Sequence, residues 1–138
     1  MITAVDSSVL LDILVADTSF GPASAHAVRT VLAEDRLIAC EVVWAEVAGS
    51  FLSATAARQA LDRLNLEFSP LTVESALEAG IAWRSYRARG GGPRRRVVAD
   101  FLIGAHALRQ ADRLLTRDRG FYCTYFKHLS LLDPSKDR

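Results

Sequence analysis

A chain of 138 residues with 50% hydrophobic and 24% charged side chains has the length of one ordinary domain and the composition of a folded protein rather than a disordered one. At that length folding buries about two-thirds of the surface the unfolded chain exposes, so one core is expected, over residues 1–133, with a frayed tail at 134–138. No apolar run reaches the ~18 residues of a membrane span and the N-terminus lacks a secretory leader's basic patch and cleavage site, which predicts a cytoplasmic chain without a membrane partner.

Ile2-Thr3-Ala4-Val5 reads as a buried first strand, stopping at Asp6-Ser7-Ser8. Ser7 or Ser8 suits the cap of a helix from Val9 to Leu14, which leaves Asp6 at the strand-to-helix turn near unpaired backbone N–H groups. The alternative is that Asp6 is itself only the helix cap. Gly21-Pro22 leads into a helix from Ala23 to Glu34, and Leu37 to Cys40 reads as a second buried strand. The next helix, Val42 to Leu52, carries Glu46 among Val43, Trp44, Val47 and Phe51. Because Glu41 is five residues away, Glu46 belongs to no charged stripe and lies beside the apolar one. A helix from Ala54 to Leu64, a strand from Leu66 to Ser69 and a long helix capped by Thr72 and reaching Arg87 follow.

Gly90-Gly91-Gly92-Pro93 breaks the pattern and reads as a mobile loop, but no lysine or Ser/Thr follows at the spacing of a phosphate-cradling loop. Arg94-Arg95-Arg96 then delivers three positive charges just before Val97 to Leu108, an apolar run of helical length whose one formal charge is Asp100. A lone carboxylate buried there costs several kcal/mol unless paired or coordinated, so Asp100 reads as a functional acid. Leu114-Leu115-Thr116 is a short strand with a polar tip, followed by Asp118 and a turn, Arg119 to Tyr122. Leu129 to Leu132 closes the chain as a last strand. Strands alternating with helices predict an α/β fold, a three-layer α/β/α sandwich around a mostly parallel sheet, and in such sheets functional groups gather at the carboxyl ends of strands. Cys40 and Cys123 read as reduced structural thiols rather than a zinc motif.

The charge is unevenly spread. Between Arg84 and Arg119 ten arginines face three acids, a segment of +7 in a chain of net +1. Basic residues around a few apolar-flanked carboxylates suit an enzyme acting on a polyanion, with arginines on phosphates and acids on metal, although arginines on helix faces also serve solubility alone.

Asp6-Ser7-Ser8-Val9-Leu10-Leu11-Asp12, Glu46 within Trp44-Ala45-Glu46-Val47, Ala99-Asp100-Phe101-Leu102-Ile103-Gly104-Ala105-His106-Ala107 and Leu115-Thr116-Arg117-Asp118-Arg119-Gly120-Phe121 resemble, in order, the motifs of PIN-domain ribonucleases, and among them the VapC toxins of bacterial toxin–antitoxin pairs. The resemblance runs over essentially the whole chain. It implies a parallel-sheet sandwich, carboxylates binding one or two Mg²⁺ or Mn²⁺ ions, endonucleolytic cleavage of RNA, a cognate antitoxin and a homodimer. Carried over by position, Asp6, Glu46, Asp100 and Asp118 form the acidic set and Thr116 the hydroxyl residue beside the last acid. Ser8 stands where the family usually has asparagine, which weakens a supporting hydrogen bond. Arg94, Arg95, Arg96 and Arg117 are candidates for RNA contact.

Phosphodiester hydrolysis needs an activated water and a neutralised leaving oxygen, which carboxylate-held divalent ions supply, and hard oxygen ligands select Mg²⁺ or Mn²⁺. The histidines fit less well: His106 lies about 240° round the helix from Asp100, and His26 and His128 lack nearby partners. An aspartyl-phosphate hydrolase or receiver domain would need a lysine near the site, whereas the lysines here are Lys127 and Lys136. A non-catalytic PIN-like module that binds RNA or protein is the other alternative, marked by loss of acids that this chain retains.

Overall fold

The computed structural model describes residues 1–91 and 96–135. Within them the chain runs β1 (Ile2–Val5), α1 (Ser7–Leu14), α2 (Gly21–Glu34), β2 (Arg36–Ala39), α3 (Glu41–Ala48), α4 (Ala54–Arg63), β3 (Glu67–Phe68), α5 (Val73–Ala88), α6 (Val98–Gln110), β4 (Arg113–Leu115), α7 (Arg119–Tyr125) and β5 (Leu131–Leu132). The strands form one sheet in the order β3-β2-β1-β4-β5, and every pairing is parallel, with Ala4 opposite Ile38 on one side and Leu114 on the other. The central strands are short and apolar because the sheet is covered on both faces: Val5, Leu37, Ile38, Leu114 and Leu115 are all buried.

Connections from β1 to β3 progress in one direction and those from β3 to β5 cross back over β1. With right-handed crossovers this puts α1–α4 and α5–α7 on opposite faces and makes the gap between β1 and β4 the point where the strand order reverses. An open α/β sheet leaves a crevice there, beyond the carboxyl ends of the strands. In this chain those ends are Asp6 and Thr116. No described helix is long and apolar enough to cross a membrane.

Thr72 caps α5 as its sequence predicts, its Oγ1 accepting the Ser75 N–H at 3.1 Å. Ser53 does the same for α4, accepting from Ala56 at 3.1 Å. Gly90 and Gly91, with φ of 73° and 79°, take the left-handed conformation that ends α5; the rest of the glycine break and the arginines expected after it, Gly92 to Arg95, lie outside the described residues. Of the expected tail, Pro134 is buried and Ser135 donates from N and Oγ to Asp133, while residues 136–138 lie outside the described residues.

Two local expectations are corrected. Ser7 and Ser8 do not precede α1 as caps; they are its first two residues, and Asp6 occupies the cap position without a side-chain cap bond. The segment after Asp118, expected as a turn, is helix α7. Its Gly120 signals a break on propensity alone, but Phe121, Tyr122 and Phe126 are buried around Phe101, with the Phe121 and Phe101 rings 5.1 Å apart edge to face, and that packing outweighs the weak local preference.

Candidate active site

Three of the four predicted acids, Asp6, Asp100 and Asp118, line one cavity of about 300 Å³ together with Ser7, Ser8, Arg96 and Arg117. Asp6 is 8% exposed and fixed from two sides. Its backbone N–H donates to the Leu115 carbonyl at 3.0 Å, tying the end of β1 to the end of β4. Its carboxylate accepts from the Thr116 hydroxyl at 2.8 Å, while the same Thr116 oxygen accepts the Asp118 N–H at 3.0 Å. One buried hydroxyl thus sets the orientation of the first acid and the backbone position of the last. Asp6 occupies the cap position of α1, but its side chain makes no cap hydrogen bond.

Asp100 is half-buried in the first turn of α6, where its carboxylate accepts the Val97 N–H at 3.1 Å. The surrounding apolar run predicts a deeper burial than this. The position at a helix N-terminus lets the carboxylate meet backbone N–H groups and the positive end of the helix dipole while still reaching the cavity. Glu46 is exposed on α3, outside the cavity lining, yet near enough for its charge to act on Asp6.

Burial above all pushes the Asp6 carboxyl above its usual 3.8; the Thr116 hydrogen bond opposes the rise, and the charges of Asp118 and Glu46 add to it. Tyr122, behind the acids, is pushed well above 10.0 by burial and then by Asp6, Asp100 and Asp118. The charges of all three carboxylates thus reach this one hydroxyl. Ser8, in the same lining, has a buried Oγ with no hydrogen-bond partner, an unsatisfied donor and acceptor.

Two arginines modify the picture. Arg96 Nη1 lies 2.7 Å from Asp118 Oδ2, with its guanidinium 4.2 Å over the Phe121 ring. Arg117 makes two hydrogen bonds to Asp12, Nε to Oδ2 at 2.7 Å and Nη2 to Oδ1 at 2.9 Å, and stacks over Phe20 at 4.0 Å. Asp12 is buried and also accepts from Ser24 Oγ at 3.0 Å. Sequence reasoning passes over Asp12, although it meets the criterion that singles out Asp100, a lone acid inside an apolar helix. Among the described residues no group of three or more His, Cys, Asp or Glu stands assembled to hold a metal ion; Asp118 is engaged by Arg96, and Glu46 remains at the surface. The donors are nonetheless hard carboxylate and hydroxyl oxygens, the set that suits Mg²⁺ or Mn²⁺.

The other predicted polar groups lie elsewhere. His106 is buried with Nε2 3.0 Å from Ser69 Oγ, while His26 and His128 are exposed. Cys40 is buried and Cys123 exposed, and the two are not bonded to each other. A separate apolar groove of about 710 Å³ runs between α3, α4 and β3 and includes Trp44, Leu61, Leu66 and Phe68; the buried Trp44 Nε1 has no acceptor.

This fold recurs in VapBC-1 from nontypeable Haemophilus influenzae (20% identity, TM-score 0.73, 99% of this chain and 100% of that one). It recurs also in VapBC2 from Rickettsia felis bound to a DNA fragment from its promoter (16%, 0.70, 96% and 98%). A third similar structure is a toxin–antitoxin complex from Klebsiella pneumoniae (18%, 0.63, 96% and 97%). No curated protein matches the chain. The PIN domain family model matches residues 3–127, from the middle of β1 to beyond α7, and so spans Asp6, Glu46, Asp100 and Asp118: the chain belongs to the PIN-domain family.

Proposed function

We propose that the chain is a metal-dependent endoribonuclease and the toxin of a type II toxin–antitoxin pair. The observation that carries this reading is the convergence of Asp6, Asp100 and Asp118 on one cavity at the reversal point of the sheet, with Ser8 Oγ unpartnered beside them. Asp6, Asp100 and Asp118, joined by Glu46 from α3, would hold one or two Mg²⁺ or Mn²⁺ ions, which when bound supply a nucleophilic water and neutralise the leaving oxygen. The chain's own contribution is positional. Thr116 favours the charged form of Asp6 and aims it, the α6 N-terminus holds Asp100, and Arg94 and Arg95, together with Arg96 and Arg117 when these leave Asp118 and Asp12, would supply positive charge for the RNA backbone.

The partner side of the proposal rests on two apolar surfaces. The groove beside Trp44 would take apolar side chains of an antitoxin segment. Val73, Leu77 and Ile81, on one stripe of α5 and each at least 65% exposed, would meet a second copy of the chain. One similar structure is by its name a toxin–antitoxin complex, which supports an antitoxin as a partner.

Cleavage of single-stranded RNA by the purified chain with Mn²⁺, abolished by EDTA and by Asp6→Asn, is the expected result, and mapping new 5′ ends after brief expression would identify the target. Absent cleavage would favour a non-catalytic PIN module, and cleavage that survives EDTA would refute the metal dependence. Replacing the three arginines 94–96 by alanine should flatten the salt dependence of RNA binding by about 0.7 per lost phosphate contact.

A further inference from the structure

We infer that Arg96 is an internal latch on the acidic site: in the metal-free chain its guanidinium holds Asp118 in place of a divalent cation, and the cation takes Asp118 by displacing it. This rests on the metal-nuclease reading above and adds to it a competitor encoded in the chain itself. The contact is direct, 2.7 Å between Nη1 and Oδ2, and the Arg96 side chain is only 13% exposed, so the guanidinium sits inside the site and not on its rim. It is held there by more than charge. The cation packs 4.2 Å over the Phe121 ring, and the Arg96 backbone N–H donates to the Tyr86 hydroxyl at 2.9 Å, which fixes the root of the side chain next to the cavity.

Electrostatics gives the contact its role. Asp6, Asp100 and Asp118 share one cavity, where their like charges repel one another. A guanidinium keeps its charge at any ordinary pH, so the site contains this cation wherever Arg96 stays on Asp118. A guanidinium can relieve the repulsion without assembling the acids around a point. The Asp118 backbone stays fixed through Thr116 whether or not Arg96 is present, so the exchange involves side chains alone.

The test uses the full chain with Arg96→Gln, Arg96→Lys and, as a control for loss of charge nearby, the exposed Arg119→Gln. By calorimetric titration with Mn²⁺ alone, Arg96→Gln should bind roughly tenfold tighter than the natural chain and Arg96→Lys by an intermediate factor, with Arg119→Gln within about twofold. Arg96→Gln should also melt lower in EDTA and gain more from Mn²⁺. In the natural chain, titration with diamagnetic Mg²⁺ should shift the Arg96 side-chain Nε–H resonance, assigned by its loss in Arg96→Lys. Equal or weaker Mn²⁺ binding by Arg96→Gln, a resonance unmoved at saturating Mg²⁺, or equal tightening by Arg119→Gln would each overturn the latch while leaving the nuclease reading intact. If neither the natural chain nor any variant bound Mn²⁺, the metal reading would fall and the latch with it.

Discussion

Replacing Thr116 by valine tests how the acidic site is held, because valine keeps the shape of the buried side chain and removes only the hydroxyl. That oxygen makes two bonds in the native chain, to the Asp6 carboxylate at 2.8 Å and from the Asp118 N–H at 3.0 Å. The first involves a charged acceptor, worth about 1.5–3 kcal/mol, and the second a backbone donor, worth about 0.5–1.5 kcal/mol. Thr116 is fully buried, so water cannot easily replace either partner, and a net loss of about 2–4 kcal/mol is expected in EDTA at pH 8. For a domain of this size that lowers the melting temperature by roughly 10 °C. Because burial already raises Asp6 above 3.8, the native state takes up its proton before the unfolded state does. Stability therefore increases as pH falls from the folded value towards 3.8 and is lost again as pH rises through that window. Without the Thr116 bond the folded value rises further, so the valine penalty should shrink steadily on acidification. Thr116→Ser retains the oxygen and should cost no more than about 1 kcal/mol. Urea denaturation of the three proteins from pH 8 to pH 4 would check this. A valine variant within about 0.5 kcal/mol of the natural chain, or a serine variant as unstable as the valine one, would refute the bridging role.

Asp100→Asn should leave stability in EDTA within about 1 kcal/mol, since the amide oxygen can still accept from Val97 and only a first-turn charge is lost, while RNA cleavage falls by orders of magnitude; a loss above about 2 kcal/mol would make Asp100 a structural partner. Burial, chiefly, lowers the pKa of His106 from 6.5, so the unfolded chain binds this proton more readily and stability should decline as pH drops below 6.5; His106→Gln should flatten that slope in denaturation at pH 7.5 and 5. A Cβ on Gly104 would lie 2.8 Å from Phe126 Cζ and closer to Cδ2 and Cε2, so Gly104→Ala should cost about 1–3 kcal/mol of overpacking against the ~1 kcal/mol that alanine gains in a helix. Combining it with Phe126→Leu should show a coupling of the opposite sign in a double-mutant cycle.

Element type and order are legible in the chain because they depend on local patterns: apolar runs too short for helices at Ile2–Val5 and Arg113–Leu115, longer periodic ones between them, and Gly90-Gly91 where α5 has to end. The acids are legible for a related reason, since Asp6 and Thr116 end parallel strands and Asp100 interrupts an apolar helix. Helix α7 was not, because its stability comes from the Phe101 ring, eighteen or more residues earlier in the chain and on another helix. Asp12 was overlooked as a partner because its arginine lies 105 residues away, and Arg117 consequently reads in sequence as a cation without a carboxylate. The strand order decides that β4 lies against β1 and so brings Asp118 to Asp6, and no local pattern specifies which strands pair. The same holds for Arg96: its place in the basic run suggests RNA, while its position on Asp118 exists only because α6 begins, and β4 ends, over the same gap in the sheet. Charge and periodicity along the chain set what each residue can do, and contacts closed over some twenty to more than a hundred residues decide which partner it meets.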